Sequence, residues 1–376
     1  MKVDLRELLT LSIIPRIGST RLINLLSHFK DSHLVISAPA KELIHVEGIE
    51  KKTALNIVNF FRDSGADQAK RFVDDQLSRL NKADARVVTY WDKEYPSNLK
   101  NIYDPPAYLF VRGELNEQDK YSVAIVGTRT ASPYGTQMAE KFADGFARLG
   151  ITTVSGMARG IDSVVHSATV KADGRTLAVV GSGVDIIYPA ENKNLAERIT
   201  DSGAIISEFN MGAKPDAPNF PRRNRIISGI SLGTLIIESS PEGGSMITAQ
   251  TALDQNREVF ALPSAVHEKR KSGANLLIKE EKAQLVESVE DVIAVLALQL
   301  KPIIKTAGII KKKSPPLQLS MFEQKLYDAM GDAPIHIDTL AERANYSTAD
   351  ALVHLLSLEF KGVVRQKPGK MFVRIA

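Results

Sequence analysis

The chain has 376 residues, of which 44% are hydrophobic and 24% are charged, and these ordinary values exclude both wholesale disorder and a membrane-embedded helix bundle. Its 48 Lys and Arg exceed its 44 Asp and Glu by only four, so the total charge by itself identifies no polyanionic partner. The chain has no cysteine, which excludes disulfides and thiolate sites, and its charged amino-terminal segment lacks a signal-peptide pattern, so we expect a cytoplasmic protein.

Residues 1–85 predict an all-α domain of short helices. Leu22, Leu25 and Leu26 lie at the spacing of one helical face, as do the leucines from Leu5 onward, and no alternating strand pattern interrupts them. Two similar segments, IPRIGSTRLINL and VEGIEKKTALNI, each place a glycine between two helices.

The two turn glycines, Gly18 and Gly48, suggest a possible contact with nucleic acid. Glycine permits positive φ, and the free N–H groups of the helix that follows can hold a phosphate. The segments resemble the helix-hairpin-helix motifs of DNA-repair and recombination proteins, which predicts a helix-hairpin-helix or SAM-like domain. Two interpretations stay open: contact with the DNA backbone, or glycine-closed helix corners used for packing and protein contacts.

Residues 86–300 predict a sheet domain. Strand-like runs such as SVAIVG, ITTVSG, TLAVVG and GTLIIES alternate with stretches of helical pattern, an alternation typical of a parallel, doubly wound sheet. The segment 86–120 has two short strand-like pieces around Tyr-Pro and Pro-Pro. We predict that this segment extends one edge of a Rossmann-like sheet.

Glycine-rich turns follow several of these strands. They are Gly127–Arg129, Ser155–Asp162, Gly181–Asp185 and Ser239–Ser245. In a parallel sheet the carboxyl ends of the strands form the ligand-binding edge, and turns of this kind present backbone N–H groups to phosphates. The sequence therefore predicts an anion-binding edge.

The nucleotide fingerprints that would name a cofactor are absent from this edge. The first turn lacks G-x-G-x-x-G, and the second strand ends in Ser155-Gly156 where a ribose-binding acid would stand, which argues against NAD. No G-x-x-x-x-G-K-[ST] occurs, so an ATPase is disfavoured as well. We expect no cofactor and no resident metal.

The segment Asn219–Ile227, NFPRRNRII, is the densest cluster of site-like residues. Arg222, Arg223 and Arg225 stand beside Asn224 and an aromatic residue, Phe220. Guanidinium groups bind phosphates and an exposed ring stacks on an unpaired base, so the segment has the components of a single-strand groove. Alternatively, the ring packs in the core and the arginines pair with acids at the rim of the sheet.

Acidic and histidine candidates for catalysis are weaker. His166 and Asp162 start a predicted helix, where a cap and a satisfied hydrogen bond are the ordinary explanation. Glu208 and Glu238 follow strands and could form a carboxylate pair for glycosidic chemistry, but we favour pairing with a helix dipole or with arginines for both.

The last part of the chain predicts a linker and a small domain. Residues 301–317 carry five lysines, three prolines and no acid, which is typical of a basic linker. Residues 318–376 predict three helices and a hairpin around Pro368-Gly369-Lys370, the pattern of a winged helix. The helix in the recognition position has no Arg or Lys before Lys361, so we favour protein contacts over sequence-specific DNA binding for this domain.

Seven motifs in one order resemble a known family. VAIVGTR, SGMARGIDSVVHSAT, TLAVVGSGVDIIYP, SEF, FPRRNRIISGIS, ESSPEGGSMITAQTA and REVFALPS, spread over about 140 residues, closely resemble the DprA (Smf) DNA-processing proteins. The resemblance implies an extended Rossmann-like domain, without catalytic activity, that binds and protects single-stranded DNA. It further implies a recombination mediator that loads a RecA-type recombinase on DNA taken up in natural transformation.

The resemblance and the chemistry of the turns together give the predicted site. The DNA-contacting residues are expected to be Arg129, Ser155, Gly156, Arg159, Gly160, Lys214, Phe220, Arg222, Arg223, Asn224, Arg225, Gly243, Gly244 and Ser245. A homodimer is expected through Leu276, Leu277 and Ile278. The chain departs from the family pattern near that surface, at Ser264 and at Lys282-Ala283.

Two other functions compete with this one. The acid-ended strand before Gly243-Gly244 is similar to that of lysine-decarboxylase-like phosphoribohydrolases, which cleave nucleoside monophosphates. However, the turn here is Pro-Glu-Gly-Gly-Ser and not the Pro-Gly-Gly-x-Gly-Thr of those enzymes. The third possibility is a winged-helix regulator whose sheet domain senses a nucleotide, and the missing basic recognition face argues against it.

Overall fold

The computed structural model of the chain describes residues 2–62, 65–265, 267–268, 271–306, 319–331, 334–361, 363–367 and 369–374. Contacts group the chain into two compact units, Met1–Gly308 and Ile309–Ala376. The finer domain boundaries at residues 85 and 300 stay predictions. Within the described ranges, no helix is both long enough and apolar enough to cross a lipid bilayer.

Six helices form the amino-terminal part of the first unit, which confirms the predicted all-α character. They are α1 (Leu5–Ser12), α2 (Ser19–Phe29), α3 (Ser32–Ser37), α4 (Ala40–Leu43), α5 (Lys51–Arg62) and α6 (Gly65–Lys82). Leu22, Leu25 and Leu26 lie in their common core, as the helical spacing predicts. Gly18 precedes α2, and Gly48 precedes α5 with a φ of 79°, a conformation that favours glycine.

A nine-stranded sheet forms the centre of the first unit. Its strands are β1 (Ala85–Thr89), β2 (Tyr108–Gly113), β3 (Ser122–Val126), β4 (Thr152–Ser155), β5 (Thr176–Val179), β6 (Ala204–Ser207), β7 (Gly233–Ile236), β8 (Glu258–Ala261) and β9 (Gln284–Leu285). Their order is β1-β2-β6-β5-β4-β3-β7-β8-β9, and the pairings from β6 to β9 are parallel. The antiparallel pair β1 and β2 extends the β6 edge, as predicted for segment 86–120.

Eight helices follow the strands along this part of the chain. They are α7 (Pro133–Arg148), α8 (Ile161–Lys171), α9 (Lys193–Ser202), α10 (Asn219–Ile230), α11 (Gly244–Asp254), α12 (Gly273–Lys279), α13 (Val289–Val295) and α14 (Ala297–Thr306). Neighbouring residues of β3 belong to different cores: Ala124 packs in the core that contains Ile226 of α10, and Ile125 in the core that contains Phe142 of α7. A strand buried on both faces needs apolar residues on both, which explains the unbroken run in β3 and confirms the Rossmann-like class.

The predicted basic linker begins inside a helix. α14 continues to Thr306, six residues into the segment 301–317. Residues 307–318 lie outside the described residues, so the rest of the linker stays a prediction.

The second unit has the predicted winged-helix architecture. Its elements are α15 (Met321–Ala329), β10 (Ile335–His336), α16 (Ile337–Ala344), α17 (Thr348–Phe360), β11 (Val364–Lys367) and β12 (Met371–Arg374), with the sheet order β10-β12-β11. Ser347 begins α17 and accepts a hydrogen bond from the Asp350 N–H at 3.1 Å. Leu352, Val353 and Leu356 of α17 are exposed, so the helix in the recognition position presents an apolar surface. Protein contact through this surface stays a prediction.

Candidate nucleic-acid interface

The strand order places a crevice between β3 and β7. The chain runs from β3 through β4 and β5 to β6 on one side and then returns to form β7 on the other side of β3. At such a switch point the turns after the two strands diverge and leave room for a ligand. A cavity of about 560 Å³ opens there, lined by the turns Gly127–Arg129 and Ser239–Ser245 and by Phe220 and Asn224 of α10.

The exposed Arg129 and the half-buried Phe220 form a pair at this cavity. The Cζ atom of Arg129 lies 5.4 Å from the centroid of the Phe220 ring, within the range of a cation–π interaction. Among the residues that the structure describes, Arg129 has no ion pair. The Phe220 ring rests on Gly181, where a Cβ atom would come within 3.0 Å of its Cδ1. Ring and guanidinium are thus held in position, and the cation remains available to an anion.

The predicted turn Ser155–Gly160 supports the cavity from beneath. Ser155 is buried and its hydroxyl donates to the Ile125 carbonyl at 2.7 Å, so this side chain holds β4 to β3 and does not face a ligand. Gly160 has a φ of 74°, and a Cβ atom there would lie 2.3 Å from the Thr128 oxygen. Only glycine therefore lets the two turns approach this closely. Gly156 lies between Asp162 and Arg223 with similarly little space.

Arg223 is buried, in contrast to what a phosphate clamp requires. Its side chain is 4% exposed, and its Nη1 donates to the carbonyls of Gly156, at 2.5 Å, and of Val179. Burial lowers the pKa of Arg223 to about 10, and the nearby Asp162 carboxylate opposes that shift. Arg223 joins the ends of β4 and β5 and stands 5.9 Å behind the Phe220 ring, so it supports the ring.

The other arginines of the segment have different environments. Arg225 is half-buried and pairs with Glu208 and, at 3.2 Å, with Asp104. Arg222 is exposed and lies over Phe209. Helix α10 turns by about 100° per residue, so neighbouring arginines on it meet different partners. Asn224 donates to the Gly244 carbonyl at 3.4 Å and thereby connects α10 with the turn after β7.

The remaining predicted residues lie around the cavity. Arg159 forms a two-contact ion pair with the exposed Glu191, at 2.6 and 3.0 Å, and lines a smaller cavity on the other side of Phe220. Lys214 is exposed in the loop before α10. Gly243, Gly244 and Ser245 line the main cavity, and the Ser245 hydroxyl donates to the Ser239 hydroxyl at 2.6 Å. DNA contact by each of these residues stays a prediction.

The carboxylate and histidine candidates for catalysis have structural partners. Glu208 pairs with Arg225, whereas Glu238 accepts from the Ser132 hydroxyl at 2.5 Å and contacts Lys271 at 3.4 Å. Three strands separate β6 from β7, so these carboxylates are about 19 Å apart at about 4.8 Å per strand. His166 is buried against the Thr176 hydroxyl at 2.7 Å, and burial lowers its pKa to about 3, which keeps it neutral.

Sequence reasoning missed Gln76, which holds the loop before α10. This buried side chain of α6 accepts from the Met211 N–H at 2.8 Å and donates to the Met211 carbonyl at 3.2 Å. The loop that carries Lys214 is therefore held by a helix from the amino-terminal part of the chain. The available signal was a polar residue on the apolar face formed by Ala69, Val73 and Leu80.

We expect Gln76→Leu to lower the free energy of unfolding by about 1–3 kcal/mol, because it leaves a buried backbone N–H and C=O without partners. Hydrogen exchange of the amides in residues 209–216 should also become faster. The matched control is Gln250→Leu on α11, whose side chain contacts only an exposed Asp254. Equal exchange in both variants would contradict the role of Gln76.

The predicted dimerisation residues lie on α12. Leu277 is 4% exposed and belongs to the core of the sheet unit, and Ile278 packs against the same core. Leu276 is half-buried. Ser264, a departure from the family pattern, joins its loop to α12 through two hydrogen bonds with Asn275, at 2.8 and 2.9 Å. A dimer contact through this helix would therefore have to use Leu276 and the outer part of Ile278.

Comparison with known proteins shows the family of the chain. Over residues 86–297 the chain matches the family described as DNA recombination-mediator protein A, and over residues 311–370 it matches the DprA winged helix domain. Protein Smf of Escherichia coli is 33% identical over 358 residues, which cover 93% of each chain. DNA processing protein DprA of Bacillus subtilis is 42% identical over 217 residues, 57% of this chain and 73% of the relative.

Two solved structures share the fold. The structure of DNA processing protein A from Streptococcus pneumoniae aligns with a TM-score of 0.65 and 30% identity, covering 78% of this chain and 98% of that one. DNA processing protein A from Helicobacter pylori, reported for its single-stranded DNA binding mode, aligns with a TM-score of 0.51 and 27% identity over 57% of this chain and 97% of that one.

Proposed function

Since the chain belongs to the DprA (Smf) family of DNA recombination-mediator proteins, we propose that it binds and protects single-stranded DNA without regard to sequence. We further propose that it acts as a recombination mediator, which loads a RecA-type recombinase on DNA taken up in natural transformation. The Helicobacter pylori relative, reported for its binding of single-stranded DNA, supports the first part.

One observation carries the DNA-binding proposal: at the switch point of the sheet, the exposed Arg129 guanidinium lies over the half-buried ring of Phe220. Phe220 offers a ring face to a base, and the adjacent Arg129 offers a cation to the neighbouring phosphate. Bases inside a duplex already stack on each other, so only an unpaired base can use the ring. Neither group reads a base edge by hydrogen bonds, which explains why binding would not depend on sequence.

The test is a titration of fluorescent oligo-dT and of the matching duplex at two salt concentrations. We expect tighter binding of the single strand and an affinity that falls as salt rises, because bound phosphates release counterions. Equal affinity for the duplex, or an affinity independent of salt, would contradict the proposal. For the mediator role, the protein should shorten the delay before a RecA-type recombinase assembles on DNA already coated by single-strand-binding protein.

We propose no catalytic role for the chain. The enzyme alternative needs the acid at the end of β7, Glu238, to be free, whereas Glu238 is 2% exposed and bound to Ser132 and Lys271. Release of ribose phosphate from a nucleoside monophosphate by the purified protein would support the enzyme instead.

A homodimer through α12 is part of the proposal, and Leu276→Glu should convert the dimer to a monomer in sedimentation analysis.

A further inference from the structure

A second guanidinium–phenyl pair lies at the start of α10. The Cζ atom of Arg222 is 5.4 Å from the centroid of the Phe209 ring, the same separation as in the Arg129–Phe220 pair. Arg222 is exposed and Phe209 is half-buried. In the described part of the chain, Arg222 has neither an ion pair nor a hydrogen bond. Its electrostatic interaction with the Glu208 carboxylate is not a direct ion pair, so the guanidinium still has donors for a phosphate.

The two pairs lie on opposite sides of one helix. Phe220 and Arg222 are two residues apart in α10, which corresponds to about 200° around the helix axis. Phe220 rests on Gly181 after β5, whereas Phe209 follows β6, the neighbouring strand. A helix with its side chains is about 10–12 Å wide, so the pairs stand roughly three nucleotides apart along a strand with about 3.4 Å per stacked nucleotide.

The acids near the second pair are already bound. Glu208 and Asp104 both contact Arg225 on the next turn of α10, and burial raises the pKa of Glu208 while the arginines oppose that shift. Arg225 therefore offsets the charge of these carboxylates, which would otherwise repel a phosphate at Arg222. Tyr103, next to Asp104 in the chain, is fully exposed, and the antiparallel pairing of β2 with β6 places the loop before β2 at the same edge of the sheet.

We propose that a single strand bound at the Arg129–Phe220 pair continues across the start of α10 and stacks a further base on the Arg222–Phe209 pair. This inference rests on the proposed single-strand binding and adds a second base-binding position along the bound strand. The Arg222–Phe209 pair contributes affinity only for a strand long enough to reach it. Its contribution can therefore be separated from that of the Arg129–Phe220 pair by varying the length of the strand.

The experiment compares two lengths of fluorescent oligo-dT: about 3 nucleotides, which is too short to span both pairs, and about 15 nucleotides, near the upper end of single-strand site sizes. Phe209→Ala and Arg222→Ala should weaken binding of the longer strand about fivefold or more and leave the shorter one unchanged. Phe209→Leu, which retains the packing but not the ring face, should behave like Phe209→Ala. Arg148→Ala is the matched control, because α7 runs back from the cavity and its last turn lies at the opposite edge of the sheet.

The outcomes separate this inference from the proposed function. If Arg129→Ala weakens binding of both lengths while Phe209→Ala and Arg222→Ala change binding of neither, the second base-binding position is disproved and the role of the Arg129–Phe220 pair is retained. If the Phe209 variants weaken both lengths equally, Phe209 acts by supporting the cavity and the inference also fails. If the wild-type protein binds neither length, the proposed single-strand binding is contradicted, and so is the second base-binding position.

Discussion

Replacing Phe220 with alanine is expected to weaken oligo-dT binding by about 1–3 kcal/mol, or about five- to 150-fold, which is the contribution of one stacked base. The ring lines the cavity at the switch point, and its contact with Gly181 and the Arg129 guanidinium over it fix its orientation. Alanine removes the surface on which a base would lie and leaves Arg129 without its stacking partner.

The paired substitution Arg129→Ala should act mainly through charge. It removes one phosphate contact, so the slope of log affinity against log salt should become shallower by about one. The Phe220 variant should keep the wild-type slope at its weaker affinity. Arg148→Ala, an exposed arginine paired with Asp144 at the far end of α7, removes the same charge and should leave both quantities unchanged. If the Arg129 and Phe220 variants both retained wild-type affinity, the groove would have to lie elsewhere.

Replacing Arg223 with alanine should lower the free energy of unfolding by about 3–5 kcal/mol, as when one partner of a buried charged cluster is removed. The change leaves the carbonyls of Gly156 and Val179 without a donor and the buried Asp162 carboxylate without its nearest cation. Arg222→Ala, one residue away but exposed, should change stability by less than about 0.5 kcal/mol. Urea unfolding of the two variants measures the difference.

The loss in free energy of unfolding caused by Arg223→Ala should depend on pH in a defined direction. Burial raises the pKa of Asp162 in the folded protein, and Arg223 opposes that rise, so the pKa should rise further in the variant. A carboxyl whose pKa is higher in the folded than in the unfolded state stabilises the fold as pH falls, because the folded state then binds the extra proton. The gap between Arg223→Ala and wild type should therefore narrow as pH is lowered from 7. A gap that widened on acidification would show that Asp162 is not the group left unpaired.

The sequence predicted most of the fold because local patterns carry the information. The run SVAIV predicted a buried strand, and the structure has β3 there; the leucines from Leu22 predicted a helix, and α2 is there. A doubly wound sheet implies that the chain returns across the sheet, but the place of that return, between β6 and β7, was not predictable, since no local pattern records which sheet edge is open.

The candidate site was predicted less completely. Phe220 and Arg129 were identified by chemistry and resemblance, and the structure brings them together. Gln76 and Phe209 were not identified, because each acts through a partner more than ten residues away in the chain. A lone glutamine or phenylalanine carries no signal until the fold supplies that partner.

By itself the sequence determined the classes of element, the glycine turns that follow the strands and the presence of three arginines in one short segment. Only the tertiary structure decided what those arginines do. Arg223 is enclosed between two strand ends, Arg225 is paired with acids, and Arg222 stays exposed on a ring. The physical reason is that a helix distributes neighbouring residues around its axis, so three identical side chains meet three environments with different solvation and different partners.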